Sequence, residues 1–141
     1  MKRYLLDTNV ISEYTHAKPP GERVRNWIDA QDEKALYLSA LTLGEIRKGV
    51  TLLPASSRRS QLQEWLEVDL PARFEGRVLA IDAKVADRWG AMAGLARLQG
   101  IALPIIDGLV AATALTHGLT MVTRNVRDFT VWQVPVINPW E

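Results

Sequence analysis

Five short apolar runs punctuate this chain, and stretches with helical spacing lie between them. Residues 3–6, Leu36–Leu38, Arg77–Ile81, Thr120–Thr123 and Pro135–Ile137 have the length of strands and are too short for helices. Between them, apolar side chains recur three and four positions apart. Val24, Trp27 and Ile28 do so within Glu22–Ala30, and Leu43, Ile46, Val50 and Leu53 do so ahead of the helix-ending Pro54. Leu62, Trp65, Leu66 and Val68 follow a cap at Ser56 or Ser57; Val85, Trp89, Met92, Leu95 and Leu98 follow a cap at Asp82. Pro104 opens another helix and Gly118 closes it. A short helix capped by Thr8 or Asn9 is expected after the first strand, to Thr15. Alternating strands and helices predict an α/β/α sandwich around a mostly parallel five-stranded sheet. With no repeat or linker, residues 1–141 are expected to form a single domain.

Composition removes several kinds of function. A formal net charge of +1 gives no basic field over the whole molecule, so nucleic-acid binding must use a local patch. Cysteine is absent, which excludes disulfides, a thiolate nucleophile and a cysteine zinc site. Two histidines, His16 and His117, leave little for a histidine-based triad or metal site. Lys2 and Arg3 precede only Tyr4, Leu5 and Leu6 before Asp7, so no signal peptide is expected. The stretch Ile101–Met121 is interrupted by Pro104, Asp107 and His117, so no membrane span is expected either. A cytoplasmic location is the expectation, since a cysteine-free chain suits a reducing compartment.

Acids sit where a parallel sheet gathers its ligands, just beyond strand ends. Asp7 directly follows the first strand, where it could equally serve as a helix cap. Glu45 lies near the start of the helix after the second strand, flanked by Gly44 and Gly49, with Lys48 as a possible partner. Asp107 is the only charged side chain from Ile101 to Thr116. In so apolar a helix a buried carboxylate is costly unless it is paired or binds metal. Thr123, Arg124, Asn125 and Asp128 cluster after the fourth strand, although a polar turn would also account for them. Carboxylates without histidine or cysteine form a hard-oxygen site, suited to Mg²⁺ or Mn²⁺. Such ions can activate water and stabilise the charge of a phosphodiester under in-line attack.

The segments "LLDTNVIS", "LSALTLGEIRKGV", "IIDGLVAATALTHGLTMVTRNVRDF" and "PVINPW" resemble a PIN-domain ribonuclease, in particular the VapC/FitB-type toxins of bacterial toxin–antitoxin pairs. The likeness runs from Arg3 to Trp140. It implies a homodimeric, Mg²⁺-dependent endoribonuclease, with Mn²⁺ as a possible substitute. It also implies a small VapB/FitA-like antitoxin and operator DNA reached only through that antitoxin. Asp7, Glu45 and Asp107 match the family's first three acids, and Thr123 matches its supporting threonine. Asn125 stands at a fourth position that is commonly an acid, and Asp128 lies three residues on. Asp7, Glu45, Asp107 and Asp128 are thus the expected catalytic residues. Asp7, Asp107, Glu45 and Asn125 are the expected metal ligands, with Thr8, Asn9 and Thr123 in support. Arg124 and Arg127 are the expected RNA contacts, since they flank the site.

Two other readings compete. An aspartyl-phosphate phosphatase would also place an acid after strand one, but it wants a second acid where Asn9 stands. A nucleic-acid-binding module with weak catalysis is compatible with Asn125, whereas the retained Asp7, Glu45 and Asp107 argue against it. Dinucleotide binding fails for want of a glycine fingerprint.

Overall fold

The structure is a computed structural model that describes residues 2–16 and 18–141. Strands β1 (Tyr4–Leu6), β2 (Leu36–Ser39), β3 (Val78–Leu79), β4 (Thr120–Val122) and β5 (Val136–Ile137) form one sheet in the order β3-β2-β1-β4-β5. Every pairing is parallel, so the expected "mostly parallel" sheet is wholly so. The chain lays β1, β2 and β3 outward in one direction, then returns to set β4 against the free side of β1. That reversal is a topological switch point, where a crevice opens beyond the carboxyl ends of the strands. Leu6 registers with Val122, so Asp7 and Thr123 leave the sheet side by side. The Asp7 backbone N–H extends the pairing by donating to the Val122 carbonyl at 2.9 Å.

Side chains alternate across the sheet, and each face carries its own core. Leu6, Leu36, Leu38 and Val122 face helices α1 (Thr8–Ser12), α2 (Glu22–Asp29) and α3 (Ala40–Leu52). Their neighbours Leu5 and Met121 face the opposite side, beneath α7 (Ile105–His117) and α8 (Val126–Thr130). α7 fills its side with small residues: Gly108, Ala111, Ala112 and Ala114 are all buried. Gly118 ends it in the left-handed region, at φ 67°.

Four local expectations are corrected. The cap of α1 is Asp7 itself, whose Oδ1 accepts from the Thr8 N–H at 2.9 Å; neither Thr8 nor Asn9 caps it, and the helix stops at Ser12. After α4 (Ser57–Glu64), residues Trp65–Asp69 form a π-helical turn before α5 (Leu70–Arg73). The wider turn shifts the apolar stripe, so Leu66 and Leu70 are buried while Val68 is exposed. The third strand is only Val78–Leu79. The stripe of α6 (Ala83–Leu98) also fails beyond Met92: Leu95 and Leu98 are 63% and 85% exposed.

Packing around α7 is tight at one point. A Cβ on Gly108 would lie 2.8 Å from Cζ2 of Trp132 and 2.9 Å from Cδ1 of Trp89. No such pressure exists at Gly44 or Gly49, where an added Cβ meets nothing within 4 Å.

Candidate active site at the strand ends

Asp7 is the centre of a hydrogen-bonded cluster. It is 8% exposed, and its two carboxylate oxygens are held separately. Oδ1 accepts the Thr8 N–H, and Oδ2 accepts the Thr123 hydroxyl at 2.7 Å. Asn9 Nδ2 donates to Thr123 Oγ1 at 3.1 Å and stands 3.5 Å from Asp7 Oδ2. The Asn125 N–H donates to the same threonine oxygen at 3.0 Å. Thr123 is fully buried, so its hydroxyl gives one hydrogen bond and takes two with no help from solvent. Asn9 Oδ1 in turn accepts the Arg124 N–H at 3.4 Å, tying the β4 exit to α1.

Glu45 enters from α3 at the rim. The Thr8 hydroxyl donates to its Oε1 at 2.7 Å and also lies 3.4 Å from the buried Thr42 hydroxyl. The anticipated partner Lys48 plays no such part, and the neighbouring Arg47 pairs instead with Glu67 at 3.0 Å. Asp107 sits in the first turn of α7 and is half-buried, less enclosed than its apolar helix led us to expect. Asp128 lies in the first turn of the short α8, and Asn125 precedes that helix without capping it through its side chain.

The acids sense one another. Burial pushes the Asp7 carboxyl from 3.8 up to about 6; its bonds to Thr123 and Thr8 oppose this, while repulsion from Glu45 and Asp107 adds to it. The Asp107 carboxyl is also raised, first by burial, then by repulsion from Asp128 and Glu45. Folded Asp7 therefore binds its proton more tightly than the unfolded chain does. Its contribution to stability is fully present below about pH 4 and is lost as pH rises through about 6, a change of roughly 3 kcal/mol. In EDTA, urea unfolding midpoints should fall across that window, and the Asp7→Asn variant should show a flatter profile. A midpoint that rises with pH over this range would contradict the raised carboxyl.

These residues fit a hard divalent cation. Every available donor is an oxygen, and the carboxylates repel each other in a way that a cation relieves. Among the described residues no three acids or histidines are drawn close enough to cage an ion alone. Mg²⁺ needs no such cage, since it keeps several waters and takes one or two carboxylates directly.

Sequence reading missed three features here. Thr42 supports Thr8 from below, and its only signal was its place three residues before Glu45. Gly108, not Gly44 or Gly49, is the glycine that close packing requires. Trp140 lies under Arg124, with the guanidinium carbon 5.3 Å from the ring centre.

Comparison with known proteins agrees with this architecture. The PIN domain family model matches residues 4–130. The chain is 40% identical over 137 residues to VapC ribonuclease Y4jK of Sinorhizobium fredii, covering 97% of each protein. It is 41% identical over 136 residues to Toxin FitB of Neisseria gonorrhoeae, covering 96% of this chain and 97% of FitB. A crystal structure of FitAcB from Neisseria gonorrhoeae contains a chain that superposes with a TM-score of 0.91 at 40% identity, over 98% of this chain and 99% of that one. By the family match and these full-length likenesses, the chain belongs to the PIN-domain family.

Proposed function

We propose that this chain, as one PIN unit over residues 1–141, is a divalent-metal-dependent endoribonuclease and the toxin of a toxin–antitoxin pair. The observation that carries this reading is the clamped, buried Asp7 at the switch point, within electrostatic range of Glu45 and Asp107. The relatives named ribonuclease and toxin support it. Asp7, Asp107 and Glu45 would hold Mg²⁺ or Mn²⁺, with Asn125 offering a neutral oxygen. When bound, such an ion supplies the positive charge that water activation and a phosphodiester under attack both require.

The protein's own part is positional. Thr123 and Thr8 fix the two oxygens of Asp7, and the Thr8 hydroxyl fixes Glu45. This holds like charges together before any ligand arrives, so little reorganisation is left for the reaction. Water attacks phosphorus, the bond to the 3′ oxygen breaks, and the products carry a 5′-phosphate and a 3′-hydroxyl. The exposed carboxylates of Glu45 and Asp128 would accept the proton that water gives up. Arg124 and Arg127 flank the acids and contact phosphates on either side, contributing affinity without reading sequence.

The partners follow from the same comparisons. Solved structures of FitAcB and of FitAB bound to the IR36 DNA fragment support a cognate small antitoxin and operator DNA reached through it. A homodimer is the proposed assembly, and the exposed apolar side chains Leu95, Leu98 and Ile101 provide a face for the second copy. No helix among the described residues is long and apolar enough to cross a membrane, which suits the proposed cytoplasmic location.

The direct test is cleavage of total RNA by purified protein, with ends mapped by sequencing. Cleavage should require Mg²⁺ or Mn²⁺, stop in excess EDTA and leave 5′-phosphates. Equal cutting in EDTA would rule out the metal. Release of inorganic phosphate from small esters without RNA cutting would favour the phosphatase alternative.

A further inference from the structure

Beside the acids lies a polar groove of about 390 Å³, lined by Arg124, Asn125, Arg127, Asp128, Asn138 and Glu141. It shares Asn125 and Asp128 with the proposed site. Two arginines and two acids therefore border the same space. An exposed arginine beside an exposed carboxylate would ordinarily pair with it. Here the ion pairs among the described residues are Arg47–Glu67 and Arg73–Glu33, and neither groove arginine takes part. Arg124 lies instead over the ring of Trp140, which is only partly exposed and packs against the core on the α1–α3 side. The Trp140 N–H donates to Asn138 Oδ1 at 2.9 Å, so the ring's backbone is fixed as well.

We propose that Trp140 is a positioning residue that holds Arg124 off Asp128 and Glu141, keeping it available for an RNA phosphate adjoining the scissile one. Arginine prefers such stacked, weakly hydrated settings, and a free side chain would lose about 2 kcal/mol of rotamer entropy on binding. A guanidinium already seated on a ring has given up part of that freedom. Backbone geometry sets the reach: Arg124 follows Thr123, whose hydroxyl bonds Asp7, and its own N–H is bonded to Asn9. The groove is thus registered to the acids through a single residue. Arg127, one residue before Asp128 on α8, lines the same groove.

The inference rests on the ribonuclease reading, and binding without metal separates the two. The probe is a fluorescein-labelled, mixed-sequence single-stranded RNA of about a dozen nucleotides. Its anisotropy is followed in EDTA over a series of salt concentrations. Arg124→Gln should weaken binding by about tenfold, as the loss of a charged hydrogen bond does. The slope of log affinity against log salt should shrink by about 0.7, the share of one phosphate on a single strand. Trp140→Phe keeps an aromatic in the core but a weaker cation–π partner, so binding should drop by about threefold. In the Arg124→Gln background, Trp140→Phe should have no further effect, since the ring then has no cation to hold. In Mg²⁺, Trp140→Phe should raise KM and leave kcat unchanged. Additive losses in the double variant, or an Arg124→Gln slope equal to wild type, would overturn the proposal while the nuclease reading stands. Wild-type protein that binds no RNA in EDTA would overturn the proposal alone; the nuclease reading falls only if the protein also fails to cut RNA in Mg²⁺ and Mn²⁺.

Discussion

Asp107→Asn is expected to lower RNA cleavage by about a thousandfold, close to 4 kcal/mol of transition-state stabilisation. The fold should survive unchanged. Asp107 is half-buried, makes no ion pair among the described residues, and is raised by burial and by repulsion from Asp128 and Glu45. An amide of the same shape removes that repulsion without opening a cavity. In EDTA the variant should therefore unfold at the wild-type urea concentration or above it. The pairing of lost activity with unharmed stability is what marks a functional acid. A variant that unfolds much earlier would make Asp107 structural; cleavage within tenfold of wild type would remove it from the site.

Thr123→Val should combine the two losses that Asp107→Asn separates. Valine has nearly the shape of threonine, but it strands three partners at once: the Asp7 carboxylate, the Asn9 amide and the Asn125 N–H. Because Thr123 is fully buried, water cannot replace the hydroxyl, and the cost in stability should be about 3 kcal/mol. Asp7 loses a donor that favours its charged form, so its carboxyl should rise further. Cleavage at neutral pH should fall by about a hundredfold, and the deficit should narrow as pH rises. Thr123→Ser restores the hydroxyl and should recover most of both. Urea unfolding and a pH–rate profile check this; a stable, fully active valine variant would show that the threonine does not support the site.

The fold was legible because its signals are local. A short apolar run that ends at an acid or a polar cluster, as at Asp7 and Thr123, reads as a strand end, and the helical stripes of α2 and α3 are regular. What failed was local patterning overruled by tertiary context. The α6 stripe keeps its spacing to Leu95 and Leu98, yet both side chains are exposed in the monomer. The π turn at Trp65–Asp69 breaks the period within a helical segment, and no residue type announces it. The site was legible only as a list of acids at strand ends. Their assembly depends on contacts between residues far apart in sequence, such as Thr123 and Asp7, that the strand order creates. The double duty of Asp7, helix cap and cluster centre, was visible as a choice between two roles; the structure places both oxygens in use.

Gly108 gives the acid cluster a dependence that the acids themselves do not show. The α7 backbone passes so near the indoles of Trp89 and Trp132 that a Cβ at Gly108 would fall within 2.9 Å of each ring, and only its absence permits the approach. Asp107 is the next residue, so the two rings act as a mechanical stop that sets how far the carboxylate is advanced toward β1. Neither tryptophan belongs to the acid cluster, yet their dimensions gauge where the Asp107 carboxylate stands. The reach of Asp107 is thus inherited from ring size.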